Sequence, residues 1–279
     1  MLIADAQVHI WAAETPERPW PTQSPDLPKP HRDPPLSADD LLREMDDAGV
    51  DRAVLISPVF EGTRNDLVLA AARAHPQRFA VMGRIDPTQY MPGRWLDELR
   101  TAPQMRGLRF TFHRPPLRQW LVEQKLELLW REAEAMRLPV MMMVAERDFS
   151  HVEKIAAAHP GLPIALDHMG LSHGTDEEAF AAFGQVLALA RYPNVALKLS
   201  CLPHYTGDAY PFSRLHPWLR QALEAYGAQR LFWGSDLSRL PCPYRQCVTM
   251  FTEEMPWLSR EQLEDIMGRA LCAWLKWAV

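Results

Sequence analysis

Eight short apolar runs, separated by amphipathic stretches and loops, constrain the fold of this chain more than any other feature. The runs are Leu2–Val8, Arg52–Ser57, Phe79–Ile85, Gly107–Phe112, Pro139–Val144, Pro163–His168, Asn194–Ser200 and Arg230–Ser235. Most lack the strict alternation of a sheet with one wet face, so they read as parallel strands covered on both sides. Between them, Leu41, Leu42, Met45 and Ala48 recur at helical spacing, as do Leu126, Leu129, Trp130, Ala133 and Met136. Ser37 is a helix N-cap ahead of an acidic first turn, and Gly49 closes that helix. Ala74-His75-Pro76, Ala158-His159-Pro160 and Arg191-Tyr192-Pro193 each precede a strand, because proline stops a helix and returns the chain. His75 and His159 are therefore expected at helix C-termini, away from any site. Eight strand–helix units in 279 residues predict an α/β chain folded as a single-domain (β/α)8 TIM barrel. The competing doubly wound sheet would carry a glycine-rich first turn, and here that turn is His9-Ile10-Trp11-Ala12.

Composition narrows the partners. A net charge of −5 argues against nucleic acid and anionic membrane surfaces. No apolar run approaches the roughly 20 residues of a bilayer span, and no leader precedes the first strand, so a cytoplasmic protein acting on a small molecule is expected. A homo-oligomer stays open. Cys201, Cys242, Cys247 and Cys272 match no zinc spacing and are read as reduced thiols.

Barrels place their chemistry at the C-terminal ends of strands. Those ends carry Gln7 and His9, Arg84 and Asp86, Arg109, His113 and Arg114, Asp167 and His168, Lys198, Ser200 and Cys201, and Ser235 and Asp236. Strand alternation places Gln7 and His9 on one face, with Ala6, Val8 and Ile10 on the other. Residues 12–36 form a proline-rich excursion from the end of the first strand and are expected to make an ordered lid. The loop Cys201–Ser213 brings His204 and Tyr205 to the same end.

His9-Ile10-Trp11, Asp167-His168-Met169-Gly170, Lys198-Leu199-Ser200 and Trp233-Gly234-Ser235-Asp236 occur in an order and spacing that resemble the amidohydrolase superfamily. More closely, they resemble its "amidohydrolase 2" branch, which contains 2-pyrone-4,6-dicarboxylate lactonases and sugar-acid lactonases. The superfamily usually opens with His-x-His, and here Gln7 replaces the first histidine. An amide oxygen is a poor zinc ligand, and the lactonase branch works without metal, so no cofactor is expected. One zinc held by His9, His168 and Asp236 is the alternative, in a decarboxylase or C–C hydrolase of the same superfamily.

The resemblance implies hydrolysis of a lactone or ester, with Asp236 as the base for water and His9, His168 and the Gln7 amide polarising the carbonyl. Arg84, Arg109, Arg114 and Lys198 make the barrel mouth positive and point to a carboxylate-bearing substrate, with His204 and Tyr205 as further contacts. Arg109 has two readings, a substrate carboxylate or a barrel carboxylate such as Asp86. Lys198 likewise reaches either Asp167 or the substrate.

Overall fold

The computed structural model describes residues 1–21, 30–87, 101–171 and 173–278. The strands are β1 (Ala4–Val8), β2 (Arg52–Leu55), β3 (Phe79–Gly83), β4 (Met105–Thr111), β5 (Val140–Met143), β6 (Ile164–Leu166), β7 (Val195–Ser200) and β8 (Leu231–Gly234). They pair in parallel and in sequence order, the arrangement of a TIM barrel. Helices pack outside. The Ala38–Ala48 helix starts at Ser37, whose side chain accepts from the Asp40 backbone, and ends at left-handed Gly49. His75 and His159 cap the C-termini of the helices Asp66–Ala74 and Phe149–Ala158, and His159 also meets Glu134 at 2.9 Å. Met136, read from its spacing as part of a buried helix face, is instead exposed just past the Glu127–Ala135 helix.

A polar clasp joins the last strand to the first. The Asp5 carboxylate, fully buried, accepts the backbone N–H groups of Gln7 (2.9 Å) and Ser235 (2.8 Å), the Tyr244 hydroxyl (2.7 Å) and the Ser235 hydroxyl. Burial raises the Asp5 pKa to about 6, and these donors resist the rise. One step along, the Asp236 N–H donates to the Gln7 carbonyl at 2.9 Å.

The barrel interior is layered. Ala4, Ala6, Val54, Ala80, Met82, Met141, Ala165, Ala196 and Phe232 form an apolar floor. Gly107 belongs to that floor because a Cβ there would lie 2.3 Å from the Pro139 carbonyl. Above it stand the buried ionic groups Arg84, Arg109, Asp167 and Lys198, and above these the strand ends. Val8, Leu55, Val81, Phe110, Val140, Leu166, Leu197 and Trp233 face outward into the helix-packed shell.

β1 departs from simple alternation. Its register against β2 shifts between Asp5 and Val8, so Ala6 lies in the inner floor and Gln7 also faces inward. The expected placement of Ala6 with Val8 is therefore corrected. An irregularity of this kind re-aims every side chain beyond it, and here it brings Gln7 and His9 to the mouth.

Within the excursion at 12–36, residues 22–29 lie outside the described residues. The parts on either side are held by specific contacts. Arg18 pairs with Asp66 (2.6 Å) and Glu61 (3.1 Å), Trp20 packs at a tilt against Phe60 with ring centroids 4.7 Å apart, and the Trp11 backbone N–H donates to the Leu36 carbonyl at 3.2 Å.

Candidate active site

Three strands leave the barrel through left-handed residues: His168 (φ 53°) and Met169 (φ 54°) after β6, Cys201 (φ 61°) after β7, and Asp236 (φ 52°) after β8. Such conformations are uncommon for residues with a Cβ and concentrate where a side chain must be aimed. Gly170 (φ 72°) completes the β6 exit, where a Cβ would meet Val186 at 2.8 Å and Phe149 at 2.9 Å.

These exits and β1 enclose a cavity of about 180 Å³, lined by Gln7, His9, Arg109, His168 and Asp236 among others. The groups sit close together. His9 Nε2 is 3.3 Å from Asp236 Oδ1, His168 Nε2 is 3.8 Å from Asp236 Oδ2, and the Gln7 amide nitrogen is 3.4 Å from both imidazoles. Gln7, His9, His168 and Asp236 are all at most 5% exposed.

Each imidazole is held at its Nδ1 atom. His9 Nδ1 lies 2.7 Å from the Ile56 carbonyl, which can only accept, so the proton is on Nδ1 and Nε2 is a lone pair. His168 Nδ1 is 2.9 Å from Ser200 Oγ, which already accepts the His168 backbone N–H at 3.3 Å. The Ser200 hydroxyl can donate to Nδ1 or accept from it, so this contact fixes the position of the ring rather than its tautomer. Burial lowers the pKa of His9 to about 3, against the pull of Asp236, and burial also lowers that of His168. Both rings are neutral near pH 7. Burial works to raise Asp236, but the facing imidazoles and Arg239 outweigh it, and its pKa lies below the ordinary carboxylate range. Asp236 Oδ1 is buried and has no hydrogen-bond partner.

Of its two readings, Lys198 takes the pairing with Asp167. Its ammonium is fully buried, donates to Asp167 at 2.8 Å and also donates to the Gln7 amide oxygen. Arg109 pairs with Asp167 rather than Asp86, through Nε at 2.9 Å, and donates to Thr111 through Nη1. Among the described residues its Nη2 meets only the Met143 sulfur, at 3.6 Å, and Arg109 still lines the cavity. Arg84 lies outside this inner cavity, whereas exposed Arg114 and the His204–Tyr205 pair line it.

Several lining residues escaped the sequence reading. His31, the sole histidine of the proline-rich excursion, bonds Ser238 Oγ at 2.8 Å and stands edge-on to His9 at 6.0 Å. Arg239 reaches Asp236 at 3.8 Å from one turn beyond β8. Thr111 shares the inward parity of Arg109, the signal that would have found it. Asp5, in the first motif, holds the backbones of Gln7 and Ser235, which carry the site.

The donor set answers the question of a metal. Zinc takes imidazole lone pairs, yet the Gln7 amide, its oxygen held by Lys198, turns a donor NH2 group toward Nε2 of both rings at 3.4 Å, where a cation would sit. Among the described residues, no group of three or more His, Cys, Asp or Glu side chains is arranged to hold a metal ion. The residues at this site do not fit a zinc ion.

A parallel barrel with a buried carboxylate and two imidazoles at its C-terminal mouth is the framework of an enzyme active site. The chain belongs to the amidohydrolase family, whose model ("Amidohydrolase") matches residues 4–270. It is 30% identical over 200 residues to an L-fucono-1,5-lactonase of Burkholderia ambifaria, covering 69% of this chain and 67% of that one. It is 26% identical over 199 residues to a 4-sulfomuconolactone hydrolase of Rhizobium radiobacter, covering 71% and 64%. An amidohydrolase from Burkholderia multivorans, solved with bound zinc, superimposes with a TM-score of 0.79 over 99% of both chains at 21% identity, a likeness of fold. The protein is an enzyme of the hydrolase class.

Proposed function

We propose that this chain hydrolyses a small lactone carrying an acidic group, without a metal ion. This reading assigns opposite tautomers to His9 and His168, with Ser200 donating to His168 Nδ1 and the His168 proton on Nε2. A nucleophilic water must give up both hydrogens to acceptors so that its lone pair faces the carbonyl carbon. His9 Nε2 and the unpartnered Asp236 Oδ1 are two such acceptors, 3.3 Å apart. Asp236 takes the proton as the C–O bond forms and returns it to the leaving ring oxygen. His168 Nε2–H and the Gln7 amide are donors toward the oxyanion, with the Arg109 guanidinium close by. His9 is thus reassigned from the expected oxyanion donor to a water-orienting acceptor, because the Ile56 carbonyl claims its proton. The two curated relatives are named for lactones, one a sugar lactone and one carrying a sulfonate, which supports the bond type.

The test is turnover of purified protein on a panel of neutral and acid-bearing lactones, with metal content measured on the same batch. Hydrolysis that survives prolonged chelation, with well below one equivalent of metal per chain, is the expected result. Stoichiometric zinc lost together with activity overturns the metal-free reading, and an inert panel overturns the lactone reading.

A further inference from the structure

The buried cations of the barrel are unequally matched. Lys198 and Arg109 share Asp167. Arg84 is 6% exposed, and among the described residues no carboxylate forms an ion pair with it. Its Nε donates to the Ser57 carbonyl at 2.7 Å and its Nη1 to Thr111 Oγ1 at 3.0 Å, while Nη2 is buried with no partner. Guanidinium keeps its proton in proteins. A charge in this position is therefore desolvated without a direct ion pair, with Asp167 acting on it only at a distance, and an incoming anion would complete it.

Arg84 lines a second cavity of about 910 Å³, outside the catalytic one. Val59, Arg109, Thr111 and Arg114 line both cavities, so the two are adjoining chambers of one cleft. Asp86 lines the outer chamber too.

We infer that Arg84 anchors the substrate's carboxylate in this outer chamber, at a subsite separate from the reacting carbonyl and served by neither Lys198 nor the Asp167-bound arm of Arg109. This rests on the proposed hydrolysis of an acid-bearing lactone and specifies its shape: the acidic group projects from the ring toward β3, while the ring carbonyl faces Asp236. The brace to Ser57 and Thr111 holds Nε and Nη1, which leaves Nη2 to meet the incoming oxygen. Arg109, whose Nη2 also meets no oxygen among the described residues, stands at the boundary of the two chambers.

The test uses glutarate as an unreactive dicarboxylate probe, with binding measured by calorimetry, so it does not depend on finding the substrate. The wild-type chain is expected to bind glutarate, Arg84→Gln to bind it at least about tenfold more weakly, and Arg84→Lys to fall between. Dimethyl glutarate, the uncharged ester, is expected to show no such dependence. Should Arg84→Gln fail to fold, Arg84→Lys carries the comparison, because it keeps the charge and loses the fork. Equal affinity in wild type and the folded variants, or no binding to wild type, overturns the subsite and leaves Arg84 a brace between β2, β3 and β4. An inert lactone panel alongside Arg84-dependent glutarate binding would sink the proposed reaction and leave the subsite standing.

Discussion

The buried ammonium of Lys198 donates to the amide oxygen of Gln7, and that single contact sets which end of the amide faces the catalytic imidazoles. An amide with its oxygen held by a cation turns its NH2 group the other way, here toward His9 and His168 at 3.4 Å. A position that is usually a histidine in this family is occupied by a hydrogen-bond donor steered from below.

Gln7→Glu keeps the shape and reverses this logic. The new carboxylate still accepts from Lys198, but its second oxygen faces the lone pair of His9 and lies near Asp236. An added anion favours the protonated forms of both imidazoles and of Asp236. The acid limb of kcat against pH is expected to move up by about one unit or more, with activity at neutral pH reduced. An unshifted limb would show that Gln7 does not face the reacting groups.

Asp236→Asn retains volume and backbone while removing basicity. Turnover is expected to fall about a thousandfold. The melting temperature should stay close to wild type, because the N–H bond to Gln7 is a backbone one and Oδ1 has no partner to lose. Comparable turnover in the variant would remove Asp236 as the base.

The opposite tautomers assigned to the two histidines make them respond differently. His168→Gln keeps an N–H donor near the Nε2 position and should retain more activity than His168→Leu, which is expected to lose about a hundredfold or more. If Gln and Leu prove equally damaging in kcat, with folding intact by circular dichroism, His168 is not acting through an N–H.

Much of this was legible from residues alone. Asp236, His9, His168 and Gln7 come together as their places at strand ends require, and β1 and β8 adjoin because one opens the barrel and the other ends it. Alternation in β1 misled at Ala6, since a register shift depends on the neighbouring strand and leaves no mark in a five-residue run. The anchors of the two rings were hidden for a similar reason. They are the Ile56 carbonyl, 47 residues from His9, and Ser200, 32 residues from His168. The pairings of Arg109 and Lys198 were present only as alternatives, because strand parity says which cations point inward but not which carboxylate each finds.

Arg109→Met tests that last point. If Arg109 served the substrate alone, its loss would raise KM and leave the fold intact. Paired with Asp167 at 3% exposure, it belongs to a buried ionic cluster in which Lys198 also holds Asp167. Arg109→Met should therefore lose about 2 kcal/mol of stability by urea unfolding, the cost of its charge-assisted hydrogen bond, and Asp167→Asn, which strips the carboxylate from Arg109 and Lys198 together, should lose more. Unchanged stability in the single variant would return Arg109 to the substrate.

Acid stability follows from the buried titrating groups, whose signs differ. Burial lowers the pKa of His9 from 6.5 to about 3, and those of His31 and His113 from 6.5 to about 4. For each, the unfolded chain takes up a proton first on acidification. The stability contributed by the neutral ring is complete above 6.5 and is lost as pH falls toward the folded value. Asp5 runs the other way: burial raises it from 3.8 to about 6, so the stability of its protonated form is complete below 3.8 and is lost as pH rises through about 6. Between pH 6.5 and 4, these imidazoles and those of His168 and His216, which burial also lowers, oppose one raised carboxyl among the described residues, and the balance favours unfolding as acid is added. The melting temperature is expected to fall steadily from pH 7 to pH 4.5. His9→Asn should flatten that fall, and Asp5→Asn, by removing the one opposing group, should steepen it. A melting temperature that rises toward pH 4.5 would mean that the imidazoles are charged in the folded protein, and the assignment of His9 Nε2 as a lone pair facing Asp236 would fail with it.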